Sequence, residues 1–234
     1  MKSVALIHYR LLQKGGLERR LINYINYFQG LGYQVTIFAT KKDSALQLPQ
    51  NAVFEKVEIG LIPKKFRQLF FAKKIKKILS QRTFDFSLSM GRTFHQNAII
   101  DGGNHIGYMQ CLGYKFKGIK DYVNIYLDKE AYRQTEVIFA CSGFVKDFNI
   151  SGFNTPSHKI EVVHPPINIS QFNQNLRVKR EDYRKEFGMN DSATHFLFIS
   201  TGHKMKNLAF LLELFAQLDK NLYKLVIVGT PPKR

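Results

Sequence analysis

SVALIHYRLLQKGGLERRLINYINYFQGLGYQVTIFAT, residues 3–40, decides how this chain folds. Its first six residues, SVALIH, run apolar with no polar alternation, which predicts a strand buried on both faces. Residues 16–30 then change period. Leu17, Leu21, Ile25 and Phe28 recur at helical spacing, with Glu18, Arg19 and Arg20 on the outer side. Gly30 and Gly32 supply the stop, and QVTIFAT (34–40) is a second strand. Strand, helix, strand in that order predicts two parallel strands joined by a crossover helix.

The same alternation continues outward. AVFEKVEI (52–59) alternates in polarity and is expected at a sheet edge, and FDFSLSM (84–90), NAIID (97–101) and EVIFACS (136–142) add strands. The expected fold is α/β: a parallel sheet covered by helices on both faces. The texture changes after KIEVVHPPI (159–167), where Pro165 and Pro166 block helix. Residues 168–194 are polar and charged, with a short helical patch at 180–188. The α/β pattern then restarts as HFLFIST, KNLAFLLELFAQL and KLVIVG. This gives a first Rossmann-like domain over 1–167, a linker over 168–194 and a partial second domain over 195–234. A single β-α-β unit exposes strand edges and an apolar helix face. The expectation is therefore a chain shortened from a longer parent.

Composition bounds the function. The 234 residues are 44% hydrophobic, enough for an ordinary core, and no run approaches the roughly 18 apolar residues of a membrane span. The N-terminal apolar run falls short of the about 7–15 residues of a signal peptide, so a cytoplasmic location is expected. Cys111 and Cys141 have no metal-site or redox spacing and read as reduced, packed thiols. The formal net charge of +17 implies an anionic partner: nucleic acid, an acidic membrane or a phosphorylated substrate.

Gly15 and Gly16 follow the first strand and open the first helix. A glycine pair there either makes a tight turn or lets a phosphate approach backbone N–H groups. Neither GxGxxG nor GxxxxGK[ST] is present, so both readings stay open. The longer pattern is more specific. GGLERRLINYINYFQGLGYQVTIFAT resembles the opening of family-4 retaining glycosyltransferases, enzymes with two facing Rossmann-like domains (the GT-B architecture). KEAYRQTEVIFACSGFVKDF, KIEVVHPPINISQF, FLFISTGHKMKNLAFLLELFAQL and KLVIVG are similar to later segments of that family, in the same order. IIDGGNHIGYMQ and HPPI resemble the lipopolysaccharide core glucosyltransferase I group within it.

The resemblance implies retaining transfer of a hexose from a nucleotide sugar to a membrane glycolipid. Such transfer requires stabilisation of a leaving diphosphate, orientation of an acceptor hydroxyl and exclusion of water. Cationic side chains and helix N-termini serve the diphosphate without a metal, and no DxD or clustered His/Asp pattern is present, so no metal or other cofactor is expected. By this resemblance Gly15 and Gly16 lie beside the donor diphosphate, as does Lys206 at the start of a helix over 207–219. Asn207 stands where the family carries Gly. The family's neighbouring Arg is missing; Lys204 is its nearest substitute, without the bidentate fork. Asp101 and His105, in DGGNHIGY, are the implied catalytic pair, with Gly102 and Gly103 lining the acceptor cleft. His8 and His164 are further cleft candidates, and Ser142 reads as a helix cap. The family's pair of donor-binding glutamates is not found. The chain is thus expected to lack most of the donor site, and a separate chain completing the second domain is an implied partner.

Two stretches bear on the +17. KKFRQLFFAKKIKKILSQR (64–82) has no acid; Phe66, Leu69, Phe70, Ile75, Ile78 and Leu79 form one stripe flanked by lysines. It is either a helix packed on the sheet or an interfacial helix on anionic lipid. GYMQCLGYKFKGIKDYVNIYL (107–127) mixes Tyr and Lys similarly. An acceptor at the inner face of an anionic membrane accounts for both. The alternatives are a non-catalytic chain that binds glycolipid or membrane, and a nucleic-acid binder stacking bases on its aromatics. No recognised nucleic-acid module accompanies the second alternative.

Overall fold

The computed structural model describes residues 1–12, 16–113, 115, 118–189 and 192–229. They divide into two compact units, Met1–Pro166 and Ile167–Arg234.

The first unit is built on a seven-stranded, all-parallel sheet. Its strands are β1 (Ser3–Ile7), β2 (Gln34–Ala39), β3 (Ala52–Lys56), β4 (Phe86–Ser89), β5 (Ala98–Asp101), β6 (Val137–Ala140) and β7 (Ile160–Val162). Their spatial order is β3-β2-β1-β4-β5-β6-β7. β1 is an interior strand: Leu6 pairs with Ile37 on one side and Leu88 on the other. β3 lies at an edge, where its alternation put it.

The period of two along each strand separates two cores. Val4, Leu6, Val35, Ile37, Leu88 and Ile100 face α1 (Gly16–Gly30), whose Leu21 and Ile25 are buried against them. Ala5, Ile7 and Phe38 face the opposite side and meet Phe71 and Ile75 of α2 (Arg67–Gln81). On that side, farther along the sheet, Ile99, Ile138 and Ala140 pack with α4 (Ile119–Gln134) through Val123, Leu127 and Ala131. α3 (His105–Cys111) and α5 (Gly143–Phe153) complete the unit.

Three expectations need correction. Arg20, read as outward-facing, is buried; its Nε donates to the Tyr24 hydroxyl at 3.0 Å and its stem covers apolar surface. In α2 the buried residues are Phe71, Ala72 and Ile75, while Phe70 is exposed: two adjacent phenylalanines fit either phase, and the sheet selects the second. The lysines Lys73, Lys74, Lys76 and Lys77 point to solvent, so this helix is a packed surface helix. Cys111 is an exposed thiol and Cys141 a half-buried one, not two packed ones.

The second unit contains α6 (Arg180–Glu186), β8 (Thr194–Ile199), α7 (Leu208–Ala216) and β9 (Tyr223–Val228). β8 and β9 pair in parallel, Phe196 opposite Leu225, with α7 between them in sequence. The helix expected over 207–219 is thus shorter. Asn207 precedes it with φ 52°, a left-handed conformation that Asn tolerates best after Gly. That geometry gives the physical reason for Asn at a position where Gly is the alternative.

Candidate functional site

The strand order turns back on itself between β1 and β4. In open parallel sheets, ligands bind in the crevice outside the carboxyl ends of the strands at such a reversal. A cavity of about 330 Å³ opens there. His8 and Tyr9 line it just beyond β1, Met90, Gly91 and Arg92 just beyond β4, and Asp101, Gly102 and Gly103 at the end of β5. A second cavity of about 610 Å³ shares Arg92, Gly102 and Gly103 and continues past His105, Tyr108, Lys120 and Asp121 to Phe144 and Phe148.

Two buried carboxylates hold the walls in place. Asp101 accepts from the Gly103 backbone N–H at 2.9 Å, the Tyr132 hydroxyl at 3.0 Å and Asn149 Nδ2 at 2.6 Å. Asn149 Oδ1 in turn accepts from Asn104, the residue that caps α3. Three protein donors fix this loop through Asp101, which makes its carboxylate a brace. Burial, with Asp101 and Asp128 nearby, pushes the Tyr132 hydroxyl well above its ordinary pKa and keeps it a donor. Asp128, on α4, is 1% exposed. One oxygen accepts from Arg92 Nε and the other from the His105 backbone N–H at 2.7 Å. Burial raises its pKa to about 6, against the opposing pull of Arg92. Asp128 therefore ties the loop after β4 to the start of α3.

His105 Nε2 lies 2.8 Å from Asp121 Oδ1, and its ring stacks on Tyr108. His8 is held below its ordinary pKa, chiefly by burial, although Glu18 Oε1 stands 3.9 Å from its Nε2. Its Nδ1 is buried without a partner.

The glycines separate by physical role. A Cβ on Gly16 or Gly102 would meet nothing within 4 Å, and neither has a positive φ, so internal packing does not require glycine there. Gly103 has φ 127°, which side chains rarely adopt. A Cβ on Gly107 would lie 3.0 Å from the Phe148 ring, so this glycine lets α3 pack on α5.

The structure thus brings Asp101, Gly102, Gly103 and His105 together around two adjoining cavities in the first unit, with His8 beside them. Gly16 starts α1, and Gly15 lies outside the described residues. Lys204 and Lys206 are exposed in the turn between β8 and α7 of the second unit. Ser142 caps α5, and His164 is exposed, with Nδ1 3.2 Å from the Cys141 carbonyl. Sequence reasoning missed Arg92, Asp121, Asp128 and Tyr132. Arg92 carried a usable signal, a charged residue three positions beyond the end of a buried strand. Asp121 and Asp128 sit seven residues apart on one helix, which marks a shared face. Among the described residues, no three of His, Cys, Asp or Glu are grouped to hold a metal ion.

The fold is shared with several solved structures. WaaG, a glycosyltransferase involved in lipopolysaccharide biosynthesis, superposes with a TM-score of 0.81 at 14% identity, over 97% of this chain and 64% of WaaG. Sucrose-phosphate synthase from Thermosynechococcus elongatus gives 0.76 at 12% identity, over 100% of this chain and 64% of the synthase. Anabaena Alr3699/HepE, solved in complex with UDP, gives 0.62 at 15% identity, over 98% of this chain and 62% of HepE. This chain therefore spans less than two thirds of the length of each. Identities this low establish the α/β, GT-B-like Rossmann fold alone. A comparison with curated proteins found no match. The family model for Glycosyltransferase Family 4 matches residues 14–171, more than half of the sequence. The chain belongs to glycosyltransferase family 4.

Proposed function

We propose that this protein acts in retaining transfer of a hexose from a nucleotide sugar to a membrane glycolipid, with the acceptor bound by the first unit. The observation that carries the reading is the pair of adjoining cavities at the carboxyl ends of β1, β4 and β5, in a chain of this family. The smaller cavity is the site of sugar transfer, entered past the bare backbone at Gly102. His105, held by Asp121, orients the acceptor hydroxyl, and Asp101 keeps the loop beneath it rigid. Lys204 and Lys206, ahead of α7, receive the donor diphosphate as charge develops on it. The UDP bound by HepE supports a nucleotide-sugar donor, and the role of WaaG supports a lipopolysaccharide-type acceptor.

A membrane-bound acceptor is supported by the surface beside the larger cavity. Tyr108, Leu112, Ile119 and Tyr122 are exposed there, together with Lys115 and Lys120. Apolar and aromatic side chains flanked by lysines suit an anionic lipid interface. Among the described residues, no helix is long and apolar enough to cross a membrane. The proposed location is peripheral, on the inner face. The test incubates the purified chain, together with a separate chain completing the second domain, with labelled nucleotide sugars and a bacterial lipid extract. The expected result is a labelled lipid whose new linkage keeps the anomeric configuration of the donor. Inverted products, or no transfer from any nucleotide sugar, would overturn the reading.

A further inference from the structure

The second unit does not close a core of its own. Among its described residues, the buried apolar side chains are Ala193 and Leu208. β8 and β9 run parallel, and parallel strands occur where both faces of the sheet are covered. A two-stranded sheet is marginal without such cover. α7 covers one face, where the Phe215 ring meets Phe196 at 5.3 Å. Leu197 pairs with Val226 and Ile199 with Val228, and the period of two turns these positions to the opposite face. Leu197, Ile199 and Val228 are exposed there. A cavity of about 760 Å³ opens beside this face, lined by Leu197 and Val226 and by Phe172, Leu176 and Phe187 from the segment ahead of β8.

The charge around the cavity selects what covers it. Arg177, in the 3₁₀ turn Gln174–Lys179, and Arg180 and Arg184, on α6, line it at a spacing of three and four residues. Glu181, Asp182 and Glu186 share α6 but do not line the cavity, and the Arg180–Glu181 pair is exposed at the surface, where such pairs contribute little. A second copy of this chain, at +17, is repelled from a basic rim. A small anionic molecule leaves Ile199 and Val228 bare, since they lie outside the cavity. An amphipathic helix has the reach and the apolar face, and carboxylates on its flank match the guanidinium row. We infer that the chain completing the second unit docks here through an acidic amphipathic helix, its apolar side on Leu197, Val226 and Phe187 and its carboxylates on Arg177, Arg180 and Arg184. This rests on the reading that a separate chain completes the second unit, and adds that partner's chemistry and its seat.

The probe is a labelled peptide of about 18 residues, long enough to be helical, with leucines at i, i+3, i+4 and i+7 and glutamates on the flanks. Its fluorescence anisotropy is read against the whole chain without nucleotide sugar or lipid, so failure here is separate from failure of the transfer assay. The acidic peptide is expected to bind at least about tenfold more tightly than one with lysines in place of the glutamates. Raising the salt from about 0.15 to 1 M shortens the Debye length from about 8 to 3 Å and should narrow that difference. Arg177→Glu and Arg180→Glu, both at exposed positions, are each expected to weaken the acidic peptide about tenfold and to strengthen the lysine peptide. Lys77→Glu, on the solvent face of α2, makes the same change in charge on the first unit and should alter neither. Equal binding of the two peptides, binding of neither, or an equal loss in Lys77→Glu would overturn the inference.

Discussion

Gly102 and Gly103 are adjacent and glycine for different reasons. Gly103 is held at φ 127°, so Gly103→Ala should destabilise the fold by on the order of 1–3 kcal/mol in denaturant unfolding. Gly102 has open space and an ordinary φ, so Gly102→Val should leave stability within about 0.5 kcal/mol while obstructing both cavities. Asp128 makes a prediction with a sign. Its folded-state pKa is about 6, above the ordinary 3.8, so the native state binds its proton more tightly than the unfolded chain does. That stabilising proton is lost as pH rises between about 4 and 6, on the order of 3 kcal/mol in all. Asp128→Asn lacks this titration, so relative to the parent protein it should gain stability across that window, read as thermal unfolding against pH. A constant difference would contradict the assignment. Of these residues, Asp101, Gly102, Gly103 and His105 were legible because glycines and polar residues interrupt an apolar run. Asp128 was not: within a helix an aspartate reads as a solvated surface group, and only the fold reveals its burial.

At the level of elements, α2 shows how far periodicity reaches. Its existence and its lysine face could be read directly, but its buried phase could not, because Phe70 and Phe71 fit neighbouring stripes. Phe71 packs beneath the sheet with Ile75 and Ala5, so Phe71→Ala should cost about 3–5 kcal/mol. Phe70→Ala, at an exposed position, should cost less than about 1 kcal/mol. Denaturant midpoints of the two variants check this; equal losses would mean that the helix is rotated from the position described. α4 was harder to read. Its inward face mixes Val123, Leu127 and Ala131 with Asp121, Asp128 and Tyr132, which blurs the apolar stripe. The residues that weaken the helical signal are the ones that line or brace the cavities.

For the molecule as a whole, the parallel α/β architecture was legible because β1 and β2 are continuous apolar runs separated by a helical period. The strand order was not, since no local feature of residues 84–90 says that β4 lies beside β1. Yet that adjacency creates the reversal at which the cavities form. The strand-helix-strand order of β8, α7 and β9 was legible within the second unit, and Asn207 shows why its helix starts later than periodicity indicated: a left-handed residue separates Lys206 from Leu208. The most direct test of the central claim is transfer of labelled hexose from nucleotide sugars to a lipid extract by this chain together with a separate chain completing the second domain, comparing the parent protein with Gly102→Val. The account predicts labelled lipid from the parent and at least about a tenfold loss in the variant at unchanged melting temperature. Labelled lipid formed equally by both, or by neither, would contradict it.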